Sequence, residues 1–352
     1  MSLLLFVAAC GPKNPAESFR PEDLVVFPSP PDTPRIQYLR SYGSTSGQTD
    51  DEAPSFLERL AGEEGRAAED TLEIKKPYGI AVAPGRVYVC DVSLPGVEII
   101  DLETGAVEVF QPSGSATLEA PLNCGFDIER NLLYVADVER LEVLVFSELG
   151  NFAGSIKREE ERPQDIFVDQ SGVWVTYPSS REIVLYSHDD YETLQVISNE
   201  STADSDTLGM SFPSNITATD DYLYVTDQGR FQVLVFTRDG DFVRSVGEHG
   251  NGFGQFGRPK GIAVDPEEIL YAVDASFQNI QLFNAQGRLL MFFPGEGGGP
   301  GAMSMPAEVV IDTTNLALYE ERVRPGLEAK YLIFVSNQVG PDKVSVYAFV
   351  GQ

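Results

Sequence analysis

The sequence has few of the residues that common catalytic and metal sites need. Its 352 residues include two histidines, three cysteines and one tryptophan. Both histidines, His188 and His249, fall in loops between predicted strands, which argues against a His-based zinc site. There is no Cys-x-x-Cys-His motif, so no covalently attached haem is indicated. Gly-x-Ser-x-Gly and P-loop motifs are also missing.

Basic residues and long apolar segments are scarce as well. Lys and Arg number 25 against 54 Asp and Glu, which gives a net charge of −29. This charge argues against a nucleic-acid-binding surface and is compatible with cationic partners or divalent cations, although the solubility of an exported protein is the simpler explanation. The apolar run from Leu3 to Ala9 is too short to span a bilayer as a helix.

The sequence does contain a repeat. Six prolines, 42 to 50 residues apart, each open a unit with three short runs rich in Val, Ile, Tyr and Phe: Pro77, Pro121, Pro163, Pro213, Pro259 and Pro306. Gly, Asp, Asn and Pro separate these runs, which is typical of β-strands. A period of this length, with room for four strands per unit, predicts an all-β fold, a six-bladed β-propeller. No unit has the 3.6-residue apolar periodicity of a helical solenoid.

The repeat is clearest between Gly254 and Phe283. This unit contains Gly-Gln-Phe, Pro-Lys-Gly-Ile-Ala-Val-Asp, Tyr-Ala-Val-Asp and Ile-Gln-Leu-Phe in that order. The pattern resembles the NHL repeat over roughly residues 76–349, and the resemblance implies a six-bladed NHL-like propeller. The third unit departs from it at Tyr177, where Asp is usual. The sixth carries an insertion from Thr313 to Lys330, for which a short helix and a long hairpin both fit.

The beginning and end of the chain are expected to meet in one blade. The sixth unit supplies three strands, and residues 35–43 resemble the fourth strand of other units. We therefore expect 35–43 to pair with the last blade as its outer strand and close the ring. Residues 35–349 then form one propeller. Within it, the segment 50–73 holds nine acidic residues and two arginines, and either a short helix or a solvated acidic loop is consistent with it.

The N-terminus resembles that of a bacterial lipoprotein. Residues 1–9 would be the signal peptide, and cleavage in Val7-Ala8-Ala9-Cys10-Gly11 would leave a lipid-bearing Cys10. The proline-rich stretch 10–34 is expected to be a tether. No Lys or Arg precedes Cys10, so a disordered apolar start is the alternative. The resemblance implies a protein of the bacterial cell envelope, periplasmic or on the outer membrane, held to the membrane by its lipid alone.

One residue at the end of each unit's second predicted strand belongs to the candidate ligand site. This second-strand ring is Asp91, Asp137, Tyr177, Asp227, Asp274 and Asn337. Repeat symmetry places it near the mouth of the central channel, where converging carboxylates would suit a polar ligand or Ca²⁺. In the structural alternative, each Asp accepts hydrogen bonds from backbone N–H groups of its own loop. The nearby Arg140, Arg181 and Arg230 would bind a partner's carboxylate or pair with the aspartates.

Two further points stay open at the sequence level. Cys90 and Cys124 are predicted on the same face of neighbouring blades, where both a disulfide and two buried free thiols are possible. The missing catalytic constellation favours a non-catalytic scaffold that binds a protein or a small ligand and needs no cofactor. The alternative is a Ca²⁺-dependent hydrolase or lactonase, resembling other six-bladed propellers, with the metal held on the channel axis by the Asp and Asn residues of the ring.

Overall fold

A computed structural model describes residues 25–43, 74–199, 209–295 and 298–351. In these ranges six small antiparallel sheets surround a central axis, which confirms the predicted six-bladed propeller. The predicted signal peptide, Cys10, the first part of the tether and the acidic segment 50–73 lie outside the described residues. None of the helices in the described ranges is long and apolar enough to cross a membrane.

The blades are built in chain order, and each of the first five contains four strands. The innermost strands of adjacent blades contact one another around the ring. In chain order the strands are β1 (Val26–Phe27), β2 (Ile36–Tyr42), β3 (Pro77–Ala83), β4 (Arg86–Asp91), β5 (Val97–Asp101), β6 (Val107–Phe110), β7 (Pro121–Asp127), β8 (Leu132–Asp137), β9 (Glu142–Ser147), β10 (Phe152–Lys157), β11 (Ile166–Asp169), β12 (Gly172–Tyr177), β13 (Glu182–Tyr186), β14 (Thr193–Ile197), β15 (Pro213–Ala218), β16 (Tyr222–Asp227), β17 (Gln232–Thr237), β18 (Phe242–Val246), β19 (Pro259–Val264), β20 (Leu270–Asp274), β21 (Asn279–Phe283), β22 (Leu289–Phe293), β23 (Pro306–Asp312), β24 (Glu328–Asn337) and β25 (Val344–Gly351).

The continuous apolar runs are explained by burial on both faces of each sheet. On β9, Val143 and Val145 pack toward the third blade, whereas Leu144 and Phe146 pack toward the first. All four side chains are fully buried. A strand between two neighbouring sheets therefore needs apolar residues at consecutive positions, as buried strands do. Proline opens five of the six innermost strands, where its missing N–H is tolerated at the first position.

The sixth blade is assembled from both ends of the chain. Strand β2 pairs antiparallel with β25, with Ile36 opposite Phe349 and Tyr42 opposite Val344, as the sequence predicted. Strand β1 adds a fifth strand beyond β2, so the end of the predicted tether belongs to the blade. The insertion in the sixth unit forms a short 3₁₀ helix, Leu316–Arg322. Its Tyr319 hydroxyl lies 2.7 Å from the hydroxyl of Tyr42 and so links the insertion to the closing strand.

Cys90 and Cys124 lie in the contact between the first two blades, as expected from the repeat. Both are buried free thiols, so the disulfide that the sequence left open does not form in this structure. The Cys124 thiol lies 3.7 Å from the carbonyl oxygen of Tyr88, to which it donates. Burial raises the pKa of Cys90 well above its ordinary value. These cysteines fill the role of small apolar residues in the core.

Candidate functional site

The aspartates of the second-strand ring are held by hydrogen bonds within the fold. Asp274 accepts from the backbone N–H groups of Gly257, Arg258 and Ser276 at 2.7, 3.0 and 2.9 Å. Asp91, Asp137 and Asp227 accept backbone N–H groups in the same arrangement. Each of these carboxylates, at most 1% exposed, joins the connection from the preceding blade to the hairpin of its own blade.

The remaining ring positions and the three arginines are used differently. The hydroxyl of Tyr177 lies 3.0 Å from that of Tyr186, and Asn337 accepts from the backbone of Ser304 at 3.1 Å. Arg140 donates to the carbonyls of Thr117 and Ser115. Arg230 donates to the carbonyl of Gly209, and Arg181 is exposed. The ring therefore has the loop-holding geometry offered above as the structural alternative, and ligand binding there stays a prediction.

A different set of side chains meets on the channel axis. We call it the axial polar layer, and it consists of the third residue of each unit, counted from the opening proline: Gly79, Asn123, Asp165, Asn215, Gly261 and Glu308. The Glu308 Oε2 atom accepts from Nδ2 of Asn123 at 3.0 Å and from Nδ2 of Asn215 at 2.9 Å. These three residues come from the sixth, second and fourth blades. Because those blades are evenly spaced around the ring, their side chains meet only at the axis.

Two glycines make room for this layer. A Cβ atom on Gly79 would lie 1.9 Å from Oδ1 of Asn123, and one on Gly261 would lie 2.2 Å from Oε1 of Glu308. Both contacts are far inside van der Waals distance, so any side chain at these positions would displace the polar group above it. The two glycines of the layer thus have a steric cause.

Burial dominates the electrostatics of the layer. Asp165 accepts the backbone N–H groups of Ile166 and Ile216 at 2.8 Å each, yet burial raises its pKa to about 7. Burial, followed by the charge of Asp165, raises the pKa of Glu308 well above its ordinary value. Desolvation therefore outweighs the hydrogen bonds that favour the charged forms. Burial thus favours the protonated form of both carboxyl groups.

Lys260 and Tyr78 lie on one side of the polar layer, one residue before Gly261 and Gly79. The Lys260 side chain is 2% exposed, and its Nζ donates to Oε1 of Gln338 at 3.0 Å. The same Nζ lies 4.7 Å from the centre of the Tyr78 ring. Burial lowers the pKa of Lys260 to about 8 and raises that of Tyr78 to about 12. A buried cation thus fills the end of the channel nearer the second-strand ring.

The axial cavity lies on the other side of the polar layer and has a volume of about 240 Å³. Asn123, Asp165 and Glu308 line its polar end, and its walls are apolar, with Phe126 and Phe167 among the larger side chains. The cavity shares four lining residues with a wider outer depression of about 800 Å³, at the ends of β7, β11 and β15. Solvent therefore reaches the carboxyl groups from the face opposite the second-strand ring.

The axial polar layer was not predicted from the sequence. The residue type that recurs from unit to unit is Asp at the end of the second strand, and the predicted site rested on that recurrence. The axial residues differ from one unit to the next, since each meets different neighbours. A signal was present nevertheless: Asn123, Asp165, Asn215 and Glu308 are polar residues at one position just after the proline, beside otherwise apolar runs. Such residues inside buried strands need a partner or a function.

Comparisons with known proteins agree with the fold. The family model DUF5128, described as a 6-bladed beta-propeller, matches residues 201–291. No curated protein matches the sequence significantly. A solved streptogramin B lyase is 15% identical, with a TM-score of 0.52 over 79% of this chain and 84% of that one.

Two further solved structures are similar to a comparable degree. A virginiamycin B lyase from Staphylococcus aureus, solved with quinupristin, is 16% identical, with a TM-score of 0.53 over 79% of this chain and 96% of that one. A gluconolactonase from Xanthomonas campestris is 16% identical, with a TM-score of 0.56 over 89% of both chains. At these identities the similarity extends to the fold: the chain is a six-bladed β-propeller.

Proposed function

We propose that this protein is a non-catalytic binding protein that holds a small ligand in the axial cavity. The observation that carries the proposal is the cavity itself, which combines apolar walls with a polar end formed by Asn123, Asp165 and Glu308. Sites for small molecules in proteins combine apolar and aromatic lining residues with a few convergent polar groups. A volume of about 240 Å³ suits a small molecule and is too small for a folded partner.

Blocking the entrance tests this proposal. Ala218 lines both the axial cavity and the outer depression, so Ala218→Phe should fill the passage between them. Calorimetric titration with hexylamine, hexanol and hexanoate should show one site for at least one probe in the wild type and none in this variant. Ala153→Phe, on the exposed outer strand of the second blade, is the matched control and should bind as the wild type does. Unchanged binding by Ala218→Phe would exclude the axial cavity as the site.

We also propose that the cavity is presented in the bacterial cell envelope on a lipid-anchored protein. The support is the resemblance of Val7 to Gly11 to a lipobox, with Cys10 as the lipid-bearing residue. Cys10→Ala should move the protein from the membrane to the soluble fraction in the native host. Membrane association that survives this substitution would contradict the anchor.

An enzyme is the second candidate, and one observation favours it. The pKa of Asp165 is about 7 and Glu308 lies in the same layer, so the pair can take up or release a proton near neutral pH in a solvent-connected cavity. Two of the similar structures are named as lyases and one as a gluconolactonase. Gluconolactone hydrolysis that disappears in Asp165→Asn would establish the enzyme, and the absence of turnover in the wild type would exclude lactonase activity on this substrate.

The Ca²⁺-dependent form of that enzyme requires free oxygen ligands. The ring aspartates already accept backbone N–H groups, and the described ranges contain no group of three His, Cys, Asp or Glu side chains able to hold a metal ion. The residues present therefore do not fit such a site. Metal analysis, together with melting temperatures measured with and without EDTA, tests this form. Stoichiometric Ca²⁺ and a lower melting temperature in EDTA would support a Ca²⁺-dependent enzyme.

A further inference from the structure

The polar end of the axial cavity is rich in hydrogen-bond acceptors and lacks a cation. Glu308 and Asp165 receive donors only from backbone N–H groups and carboxamides, all of them neutral. Across the described ranges, neither carboxyl group has an ion-pair partner within 4.0 Å. Oδ1 of Asn215, a residue that is 1% exposed, has no hydrogen-bond partner. The layer is therefore short of both positive charge and hydrogen-bond donors.

Such an arrangement is costly in the unliganded protein. Removing a carboxylate from water without a compensating cation is strongly unfavourable, and an unpaired buried acceptor adds to the cost. Lys260 offsets it only in part, because its charge attracts Glu308 through space while its Nζ donates to Gln338 and lies over Tyr78. A ligand with a cationic group and several N–H donors would supply both the positive charge and the hydrogen-bond donors that the carboxyl groups lack.

The path into the cavity favours the same kind of ligand. The outer depression is lined by four acidic residues, Asp127, Glu129, Asp169 and Asp220, against two arginines, Arg130 and Arg238. Both arginines are already paired, Arg130 with Asp127 and Arg238 with Asp169. The net charge of −29 also draws cations toward the protein. Beyond the depression, the apolar walls accept a hydrocarbon body.

We infer that the axial cavity takes a small organic cation, an ammonium group on a short apolar body. The ammonium group lies at Glu308 and Asp165, which line the polar end of the cavity, and donates to both. The hydrocarbon body packs against Phe126, Phe167 and Val310, which line the cavity. This inference rests on the proposed small-molecule site and adds to it the charge and shape of the ligand.

The charge of the carboxyl pair makes this binding depend on pH. The two groups lie in one layer and repel each other when charged, with Lys260 and Tyr78 on one side of the layer and Asp127 and Asp169 in the outer depression on the other side. As the pH rises from about 6 to about 8, Asp165 loses its proton and the site becomes more negative. Deprotonation of Lys260 near the top of this range removes a repelling charge. Ammonium binding therefore strengthens across the whole interval.

Three six-carbon probes that differ only in their head group provide the test. Calorimetric titration of the wild type at about pH 8 should show hexylamine binding about tenfold more tightly than hexanol or hexanoate. Its affinity should fall about threefold or more at about pH 6, whereas that of hexanol should not change. Asp165→Asn and Glu308→Gln should each remove most of the preference for the amine. Asp239→Asn, which removes an exposed carboxylate of the fourth blade, should leave it intact.

The outcomes separate this inference from the proposal beneath it. Equal binding of hexanol and hexylamine, or tighter binding of hexanoate, would overturn the cation and leave the small-molecule site standing. Failure of all three probes would overturn the site and the cation together. Should the carboxyl variants not fold, the pH series on the wild type still decides, because hexylamine binding that is flat between about pH 6 and about pH 8 contradicts the inference.

Discussion

At the scale of single residues, Asp274 shows how one buried carboxylate can hold two loops together. It accepts four backbone N–H groups, from Gly257, Arg258, Ser276 and Phe277. Asp274→Ala leaves these donors without their partner, so we expect the free energy of unfolding to fall by about 3 kcal/mol or more. Urea denaturation monitored by circular dichroism measures the change.

Two substitutions serve as controls for Asp274. Asp274→Asn keeps one accepting oxygen and should cost less, because Asn337 occupies the same position in the sixth blade and still accepts from Ser304. Asp239→Ala removes an exposed carboxylate and should change stability by less than about 0.5 kcal/mol. A fully stable Asp274→Ala protein would show that the ring is not structural.

Glu98 provides a second residue-level prediction, on pH. Burial, followed by the charge of Asp91, raises its pKa to about 8, and its Oε2 has no hydrogen-bond partner. A carboxyl group with a raised folded-state pKa stabilises the protein fully below its unfolded pKa of about 4.3, and that contribution is lost as the pH rises toward about 8. Between about pH 5 and about pH 8, the free energy of unfolding of Glu98→Gln should therefore rise by on the order of 2 kcal/mol relative to that of the wild type.

The Glu98 prediction is checked by urea unfolding at both pH values. Glu103→Gln, an exposed neighbour, is the matched control and should follow the wild type at both. Equal pH dependence in Glu98→Gln and the wild type would mean that Glu98 is ionised in the folded protein.

Residue-level prediction from the sequence succeeded where side chains repeat. The second-strand ring was found because Asp recurs at a constant distance before the end of the third strand. The axial polar layer was not found, because Asn123, Asp165, Asn215 and Glu308 share a position but no residue type. Their meeting depends on the circular arrangement of the blades, which brings residues about 90 to 185 positions apart into contact. No local pattern in a single unit contains that information.

At the scale of elements, closure depends on one strand from the beginning of the chain. Strand β2 pairs with β25 over its whole length, with one bulge between Tyr38 and Arg40, and Ile36 and Tyr42 are buried within the pairing. A chain that starts at residue 44 exposes the edge and the apolar face of β25, so it should lose the cooperative unfolding transition and aggregate. A chain that starts at Val25 retains β1 and β2 and is the matched control, which should unfold cooperatively. Calorimetry and size-exclusion chromatography distinguish the two.

Element prediction was accurate for strands with repeated apolar runs and failed for irregular ones. The closing strand was recognised because residues 35–43 resemble the outer strand of another unit. Strand β1 has two residues, Val26–Phe27, which is too short for any periodicity, and the prolines around it pointed to a tether. The 3₁₀ helix Leu316–Arg322 is fixed by its contact with Tyr42, a residue nearly three hundred positions away.

At the scale of the whole molecule, the dominant property is the charge of −29. Repulsion among these charges opposes compaction, and salt weakens it as the Debye length falls from about 30 Å at 0.01 M to about 8 Å at 0.15 M. We expect the melting temperature to rise by about 3 °C or more over this range at about pH 8. Near the pI of about 4.3, the same increase in salt concentration should change the melting temperature little. A salt response that is equal at both pH values would assign the effect to something other than net charge.

The composite sixth blade also has a consequence for how the protein is made. Whether the chain emerges from the ribosome or from a membrane translocation channel, β2 appears long before its partner β25. The first five blades can form in order as they emerge, whereas the closing strand must wait, unpaired, for more than three hundred further residues. Folding therefore includes a period in which the apolar strand β2 lacks its partner, and a chaperone or rapid folding of the early blades has to protect the strand during that period.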